Sequence, residues 1–451
     1  MTSISKKDSE FYIEKNIKYG LVNYWIPPIE HRIDSNKILG MDLDWTLIKP
    51  KSGKVFPINA DDWQFMLDDN GFKKIKSLMD SGYKFVIFTN QALIAKGKCY
   101  DLDGFKRRWL QIYDSLCNVG IKCVYLMFAV YDDFYRKPCD GMWKFMCEKI
   151  NEGFDINLEA SYYIGDAAGR TGDHSLADLQ FALNIGITKF YVPEVFFKND
   201  VAKENNTVEL IKKMNSNAKV FKPLKYIEKF NEIIENPLYP KDSSIAKVSR
   251  RIVLEGRNQE TFDILKKPIC DKTQMLILFV GSPSSGKSSL YTDTIVPYLK
   301  KTLKETHNKT TNTWIYLSQD TFSGTATKFT KEVTKQLASG NSVIIDNTNS
   351  TAKVRNKFTN IAKTMNDKTV KCVIYFPMEK DVVMYLNTIR TKLLNIGKLN
   401  NTPEDKTPVP AVAIHSYWKR FEVIDEKDET IDMYLEWQFI PKIDKFNLQF
   451  V

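Results

Sequence analysis

Two stretches of this chain carry residue types at spacings that serve phosphoryl chemistry. The first is Asp42-Leu-Asp-Trp-Thr46, directly after the apolar run Lys37–Met41. A strand ending there delivers two carboxylates two positions apart, with a hydroxyl behind them. Asp42 is placed to attack phosphorus and form an aspartyl-phosphate. Asp44 is placed to protonate the leaving oxygen and then to deprotonate the attacking water. Alone, the pattern is equally an acidic turn after a strand. The second stretch is Gly281-Ser-Pro-Ser-Ser-Gly-Lys-Ser288, after the apolar run Met275–Val280. A glycine-rich turn between a buried strand and a helix N-terminus lets backbone N–H groups converge on an anion. Gly281, Ser282, Ser284, Ser285, Gly286, Lys287, Ser288 and Ser289 form the expected ATP cradle. In it Lys287 reaches the β- and γ-phosphates and Ser288 ligates Mg²⁺. The alternative is a Gly/Ser turn with an incidental lysine, and a strand before it with a helix after it argues against that.

The elements around these stretches bring further groups to the ends of apolar runs. Phe72–Met79 has a helical period, and Tyr83–Phe88 is a buried strand ending in Thr89-Asn90-Gln91, where a hydroxyl and an amide can hold a phosphoryl oxygen. Val124–Val130 is another strand, followed by Arg136-Lys137-Pro138, and Lys137 would stabilise charge on the phosphoryl group. Ser161–Ile164 delivers Gly165-Asp166. A nucleophilic aspartate needs Mg²⁺ to offset charge, so Asp42, Asp44 and Asp166 are the expected ligands. In the second half, Thr313–Leu317 reads as a strand with Asp320 beyond its end, placed to accept the proton of an attacking hydroxyl. Ser342–Ile345 is a strand ending in Asp346-Asn-Thr-Asn349, and Asp346 would hold water or substrate near Mg²⁺.

Composition sets the outer limits. The chain has 451 residues, 43% of them hydrophobic, which allows two or three globular domains. Three segments are expected: 1–200, a charged connector over 201–270 with breakers at Asn236-Pro-Leu-Tyr-Pro240, and 271–451. No signal peptide opens the chain and no apolar run approaches membrane-spanning length, so an intracellular protein without a membrane partner is expected, nucleus or cytoplasm left open. Seven cysteines without a C-x-x-C pair read as reduced thiols. Four scattered histidines make no zinc site. A formal net charge of +10 suggests an anionic partner, nucleic acid first, although a lysine-rich surface also serves solubility.

Asp42–Thr46, Thr89, Lys137 and Asp166 resemble the motifs of haloacid dehalogenase-type phosphatases. Longer strings are more specific: Ser52-Gly-Lys-Val-Phe-Pro57, Val86-Ile-Phe-Thr-Asn-Gln91, Tyr135-Arg-Lys-Pro138, Gly165-Asp-Ala-Ala-Gly-Arg170 and Phe181-Ala-Leu-Asn184. Together they resemble the polynucleotide kinase 3′-phosphatase family, over about Lys37–Phe197 and again over Leu276–Phe421. The resemblance implies an α/β chain of two doubly wound parallel-sheet domains, a haloacid dehalogenase-like phosphatase and a P-loop kinase. It implies Lys96 and Arg136 as contacts to nucleic-acid phosphates, Asp346 and Asn347 as substrate-binding residues, and the Asn347-Thr-Asn349 segment as an organiser of the kinase site. It implies Arg390 as a lid arginine on the transferring phosphoryl group. The stretch ahead of Lys37 is expected to be too short for the forkhead-associated module of some relatives.

Three departures from the family pattern stand out: Trp45 where glycine is usual, Gln319 where an arginine often precedes the catalytic aspartate, and Ala326 in place of an aromatic. The implied activity is removal of 3′-phosphate and ATP-dependent phosphorylation of 5′-hydroxyl, yielding ends that a ligase joins. DNA is the expected substrate. RNA or tRNA end repair with the same chemistry, a small-molecule phosphatase–kinase fusion and a non-catalytic nucleic-acid scaffold are the alternatives.

Overall fold

The computed structural model describes residues 10–97, 101–198, 252–255, 265, 268–269, 271, 273–305, 313–400, 408–425 and 429–438. The chain divides into two compact units. One comprises Met1–Pro223, Thr388–Thr407 and Asn447–Val451, the other Leu224–Asn387 and Pro408–Phe446.

The first unit is built on strands β1 (Glu10–Asn16), β2 (Gly20–Ile26) and β3 (Ile38–Met41), then β6 (Lys84–Asn90), β7 (Val124–Ala129), β8 (Tyr162–Ile164) and β9 (Lys189–Tyr191). The small pair β4 (Ile48–Lys49) and β5 (Gln64–Phe65) stands apart from this sheet. The order is β1-β2-β7-β6-β3-β8-β9. From β7 to β9 every pairing is parallel, whereas β1 with β2 and β2 with β7 are antiparallel. The expected parallel sheet is therefore extended at one edge by a hairpin. Its second strand is the aromatic segment before Ile26.

Apolar runs without polar alternation belong to strands covered on both faces, and β6 shows the consequence. Phe85 and Ile87 enter one core layer with Ile75, Trp109 and Ile112, while Val86 and Phe88 enter the other with Trp143, Leu179 and Phe181. Helix α1 (Asp69–Asp80) opens where the Asp68 carboxylate accepts the Gly71 N–H, and α2 (Ala92–Ala95) follows β6. Helix α3 (Leu102–Asn118) opens on Asp101 in the same way, accepting from Gly104. Such caps satisfy N–H groups that the helix itself leaves unpaired. Helices α4 (Gly141–Phe145), α5 (Ala177–Asn184) and α6 (Pro193–Lys198) follow among the described residues.

The second unit holds β10 (Ile252–Glu255), β11 (Met275–Val280), β12 (Trp314–Ser318), β13 (Ser342–Asp346), β14 (Val370–Tyr375) and β15 (Met433–Gln438). They form one all-parallel sheet in the order β10-β15-β14-β11-β13-β12. Its helices among the described residues are α7 (Lys287–Leu290), α8 (Val296–Glu305), α9 (Ala326–Ala338), α10 (Ala352–Met365), α11 (Lys380–Leu399) and α12 (Ala411–Arg420). From Thr388 onward α11 belongs to the first unit.

Two expectations about segmentation change. Ile252–Glu255 falls in the expected connector yet pairs with β15, because extended backbone at an open sheet edge gains a ladder of hydrogen bonds. Thr388–Thr407 leaves the expected C-terminal segment for the first unit. The rest of 201–270, including the helical spacings Val208–Met214 and Tyr226–Ile234, lies almost wholly outside the described residues, as do Cys99 and Cys270. Cys117, Cys123, Cys139, Cys147 and Cys372 are free thiols. No helix among the described residues is long and apolar enough to cross a membrane.

Candidate active sites

In the first unit β3 lies between β6 and β8, so the chain leaves its C-terminal end in one direction and returns on the other side. Loops diverge at such a switch point and leave a crevice. Asp42 follows β3 and is buried, its backbone N–H donating to Ile164 O at 2.9 Å. Lys137 Nζ lies 2.6 Å from Asp42 Oδ1, 2.7 Å from Asp178 Oδ1 and 3.1 Å from the Tyr163 hydroxyl. Burial works against the ammonium, but Asp178 and Asp42 outweigh it and hold Lys137 charged above lysine's usual range. The backbone of Lys137 is fixed by Asn90, whose Oδ1 accepts the Lys137 N–H at 2.9 Å and whose Nδ2 donates to Lys137 O at 3.1 Å. Asn90 was expected to meet substrate. Both ends of its amide are instead engaged in placing Lys137.

Asp178 is the residue the sequence reading missed. It sits in the first turn of α5, fully buried, and its Oδ2 accepts the Ala167 N–H at 3.1 Å. Asp42, Asp166 and Asp178 each bring a carboxylate oxygen to within 4.8 Å of the others. A Cβ at Gly165 would lie 2.4 Å from Asp178 Cγ, so only glycine admits that approach. Burial pushes the Asp42 carboxyl well above its usual range, with Asp178 and Asp166 adding repulsion against the attraction of Lys137. Burial, then Asp178, pushes Asp166 up to about 6. Three carboxylates face one ammonium, and an all-oxygen donor set of that charge fits a hard divalent cation. A lone acidic residue opening an otherwise apolar helix (Leu179, Phe181, Ala182) was the available signal.

Asp44 was expected among the metal ligands and is not one of the three. Its carboxylate is held by Arg108 Nη2, 3.1 Å from Oδ1, and by Gln91 Nε2, 2.6 Å from Oδ2. Gln91 also donates to Thr89 Oγ1 at 2.9 Å, so it links Thr89 to Asp44. Neither Arg108 nor Gln91 was assigned a role from sequence. Thr46 Oγ1 accepts the Asp166 N–H at 3.1 Å and ties the two loops together. Arg136 is partly buried, and its Nη1 has no hydrogen-bond partner among the described residues. Lys96 is exposed just beyond α2.

In the second unit the glycine-rich loop leaves β11, which lies between β14 and β13. Gly286 (φ 88°) and Ser284 (φ 64°) take left-handed conformations that turn the loop into α7. Lys287 Nζ folds over the loop, 3.0 Å from Gly281 O and 2.7 Å from Ser282 O. The hydroxyls of Ser282 and Ser285 are buried without hydrogen-bond partners among the described residues, and Ser284 donates to Asn387 Oδ1 at 3.0 Å. Ser288 Oγ donates to Asp346 Oδ2 at 2.7 Å, and the Tyr316 hydroxyl reaches the same oxygen at 2.5 Å. Ser289, next on α7, is half-buried.

The Asn-Thr-Asn segment is structural glue. Asn347 Oδ1 accepts the Gln319 N–H at 2.9 Å, Thr348 O accepts the Gly281 N–H at 3.2 Å, and Asn349 Nδ2 donates to Phe279 O at 2.8 Å. Asn347, expected at the substrate, thereby sets the turn that carries the exposed Asp320. Arg390 lies on α11, in the stretch grouped with the first unit. A fully buried Arg355, also missed from sequence, donates to Asn349 O at 3.1 Å and pairs with Glu429.

An aspartate–lysine phosphatase crevice in one unit and a P-loop fold in the other define the class: an α/β phosphoryl-transfer protein with two sites. The first unit belongs to the polynucleotide kinase 3 phosphatase family, whose model matches residues 37–197. Residues 275–429 match the model of chromatin associated protein KTI12. A bifunctional polynucleotide phosphatase/kinase of Schizosaccharomyces pombe is 29% identical over 86% of this chain and 76% of its own length. A polynucleotide 3′-phosphatase of Arabidopsis thaliana is 38% identical over 36% of this chain and 24% of its own length. A polynucleotide 3′-phosphatase of Saccharomyces cerevisiae is 27% identical over 37% of this chain and 90% of its own length.

Proposed function

We propose that the chain heals nucleic-acid ends, removing 3′-phosphate in its first unit and phosphorylating 5′-hydroxyl with ATP in its second. The observation that carries the reading is the pair of sites itself. Lys137 clamped between Asp42 and Asp178 suits a phosphoryl acceptor, and Ser288 bonded to Asp346 beside Lys287 suits an NTP phosphate chain. A relative that matches 86% of this chain is named a bifunctional polynucleotide phosphatase/kinase.

In the first unit an Asp42 oxygen attacks phosphorus, the P–O3′ bond breaks, and Asp44 gives its proton to O3′. Water then attacks the aspartyl-phosphate, Asp44 takes its proton, and the P–O bond to Asp42 breaks to release inorganic phosphate. Lys137 holds Asp42 in line and offsets charge on the phosphoryl oxygens. Thr89 holds a phosphoryl oxygen, and Lys96 and Arg136 meet neighbouring backbone phosphates. Asp42, Asp166 and Asp178 would hold Mg²⁺, which supplies further charge neutralisation.

In the second unit the 5′-hydroxyl oxygen attacks the γ-phosphorus of ATP, Asp320 accepts the proton, and the bond to the β-phosphate oxygen breaks, leaving ADP. Lys287 moves from its loop carbonyls to the β- and γ-phosphates. Ser288 and Asp346 would hold the Mg²⁺ of the nucleotide. The products, 3′-hydroxyl and 5′-phosphate, are substrates for a ligase, which makes a ligase the functional partner and the cell interior the place of action.

The test is an oligonucleotide with 5′-hydroxyl and 3′-phosphate, in DNA and RNA forms, incubated with ATP and Mg²⁺ and read by mass. Asp42→Asn keeps the 5′ gain and loses the 3′ removal; Lys287→Ala does the reverse. Unchanged ends with the wild type would sink the proposal.

A further inference from the structure

Trp45 occupies a place that costs the fold something and gives its core nothing. It has φ 61°, one of a few left-handed non-glycine residues among those described. That region is unfavourable for a bulky L-residue and free for glycine. The turn does not depend on the side chain. It is closed by backbone bonds, Trp45 N–H to Ile48 O at 2.7 Å and Leu47 N–H to Leu43 O at 3.0 Å. Trp45 is only partly buried and is absent from both core layers. Strain of this kind at a residue between Asp44 and Thr46 points to a use in the site.

The indole is aimed by its Nε1–H, which donates to Val55 O at 3.0 Å. The loop it meets is staked at both ends by the buried Asp62, which accepts from Ser52 N, Ser52 Oγ and Ile58 N at 2.7, 2.7 and 3.0 Å. Val55 and Phe56 on that loop are 66% and 57% exposed, and Lys51 and Lys54 beside them are exposed cations. A fixed aromatic surface flanked by lysines suits a single-stranded end, where bases stack and phosphates pair with cations. Trp45 stands three residues after Asp42, in the turn that leads away from β3.

We propose that Trp45 is the platform on which the base of the 3′-terminal nucleotide stacks, setting the preference of the phosphatase site for base-bearing single strands. This rests on the end-healing function proposed above. The test compares a 3′-phosphorylated oligonucleotide with one of the same length whose terminal nucleotide lacks its base. For the wild type the base-bearing substrate has a KM about tenfold lower, at similar kcat, the size expected of one stacked base. Trp45→Gly removes that difference by raising KM for the base-bearing substrate alone, and Trp45→Phe keeps part of it. A wild type indifferent to the terminal base would overturn the proposal. So would a Trp45→Gly variant that slows both substrates equally, since the indole would then only shape the turn. Absence of phosphate release from either substrate by the wild type would instead refute the end-healing function.

Discussion

Replacing Lys137 with methionine lowers release of 3′-phosphate by about 10²- to 10³-fold, the range for losing one group that stabilises developing charge. Methionine keeps an unbranched side chain in the same slot, so packing changes little. What goes is the ammonium 2.6 Å from Asp42 and 2.7 Å from Asp178. Burial already disfavours the Asp42 anion, and Asp178 and Asp166 repel it. Without the lysine Asp42 is driven further toward its neutral form, which could not make the attack proposed above. The 5′-kinase reaction of the same molecules is the internal control and stays unchanged. Phosphatase turnover above one tenth of wild type, or a parallel fall in both activities, would show that Lys137 does not have this role.

The second large effect is on stability. Arg355 and Glu429 are almost completely buried and meet in a two-pronged pair, Nε to Oε2 at 2.5 Å and Nη2 to Oε1 at 2.7 Å. Arg355 also donates to Asn349 O, Glu422 O and Val423 O, joining the Asn-Thr-Asn segment to the chain that leads into β15. Removing one partner of such a pair leaves a buried charge without compensation and costs about 3–5 kcal/mol. Arg355→Met is expected to lose kinase activity at markedly lower urea than wild type, while phosphatase activity in the same samples persists. Glu429→Gln falls less, because the guanidinium keeps its carbonyl partners. The double variant Arg355→Met with Glu429→Leu recovers part of the loss, since the buried charges go together, but the three carbonyls stay without their donor. An Arg355→Met midpoint matching that of the exposed Lys353→Met would refute the assignment.

Both variants probe residues whose partners lie far along the chain, and here the sequence was least informative. Asp42 and Asp166 were assigned because each stands within two residues of an apolar run that can only be a buried strand. A residue just past such a run is placed by backbone geometry alone. The glycine-rich loop was found for the same reason, and its serines and lysine sit where the turn puts them. Gln91, Arg108, Asp178 and Arg355 were passed over because their meaning depends on what they touch. Arg108 reads as one charge among several on a helix until α3 packs and its guanidinium meets Asp44, 64 positions away. Asp178 reads as a helix N-terminal carboxylate until it closes on Lys137, 41 positions back. Asn90 and Asn347 were assigned to substrate because an amide at a strand end suits either task, and nothing local distinguishes a ligand from a brace.

By itself the sequence determined the strand ends, the loop chemistry and the two kinds of phosphoryl site, since these follow from hydrophobic periodicity and from backbone-directed motifs spanning a few residues. Tertiary structure alone decided which carboxylates converge, which cation answers them, that Ile252–Glu255 joins a sheet, and that Trp45 is left only partly buried. Those outcomes depend on burial and on pairings between distant residues. Burial sets the energy of a charge or an aromatic ring only once the packed elements have defined its surroundings.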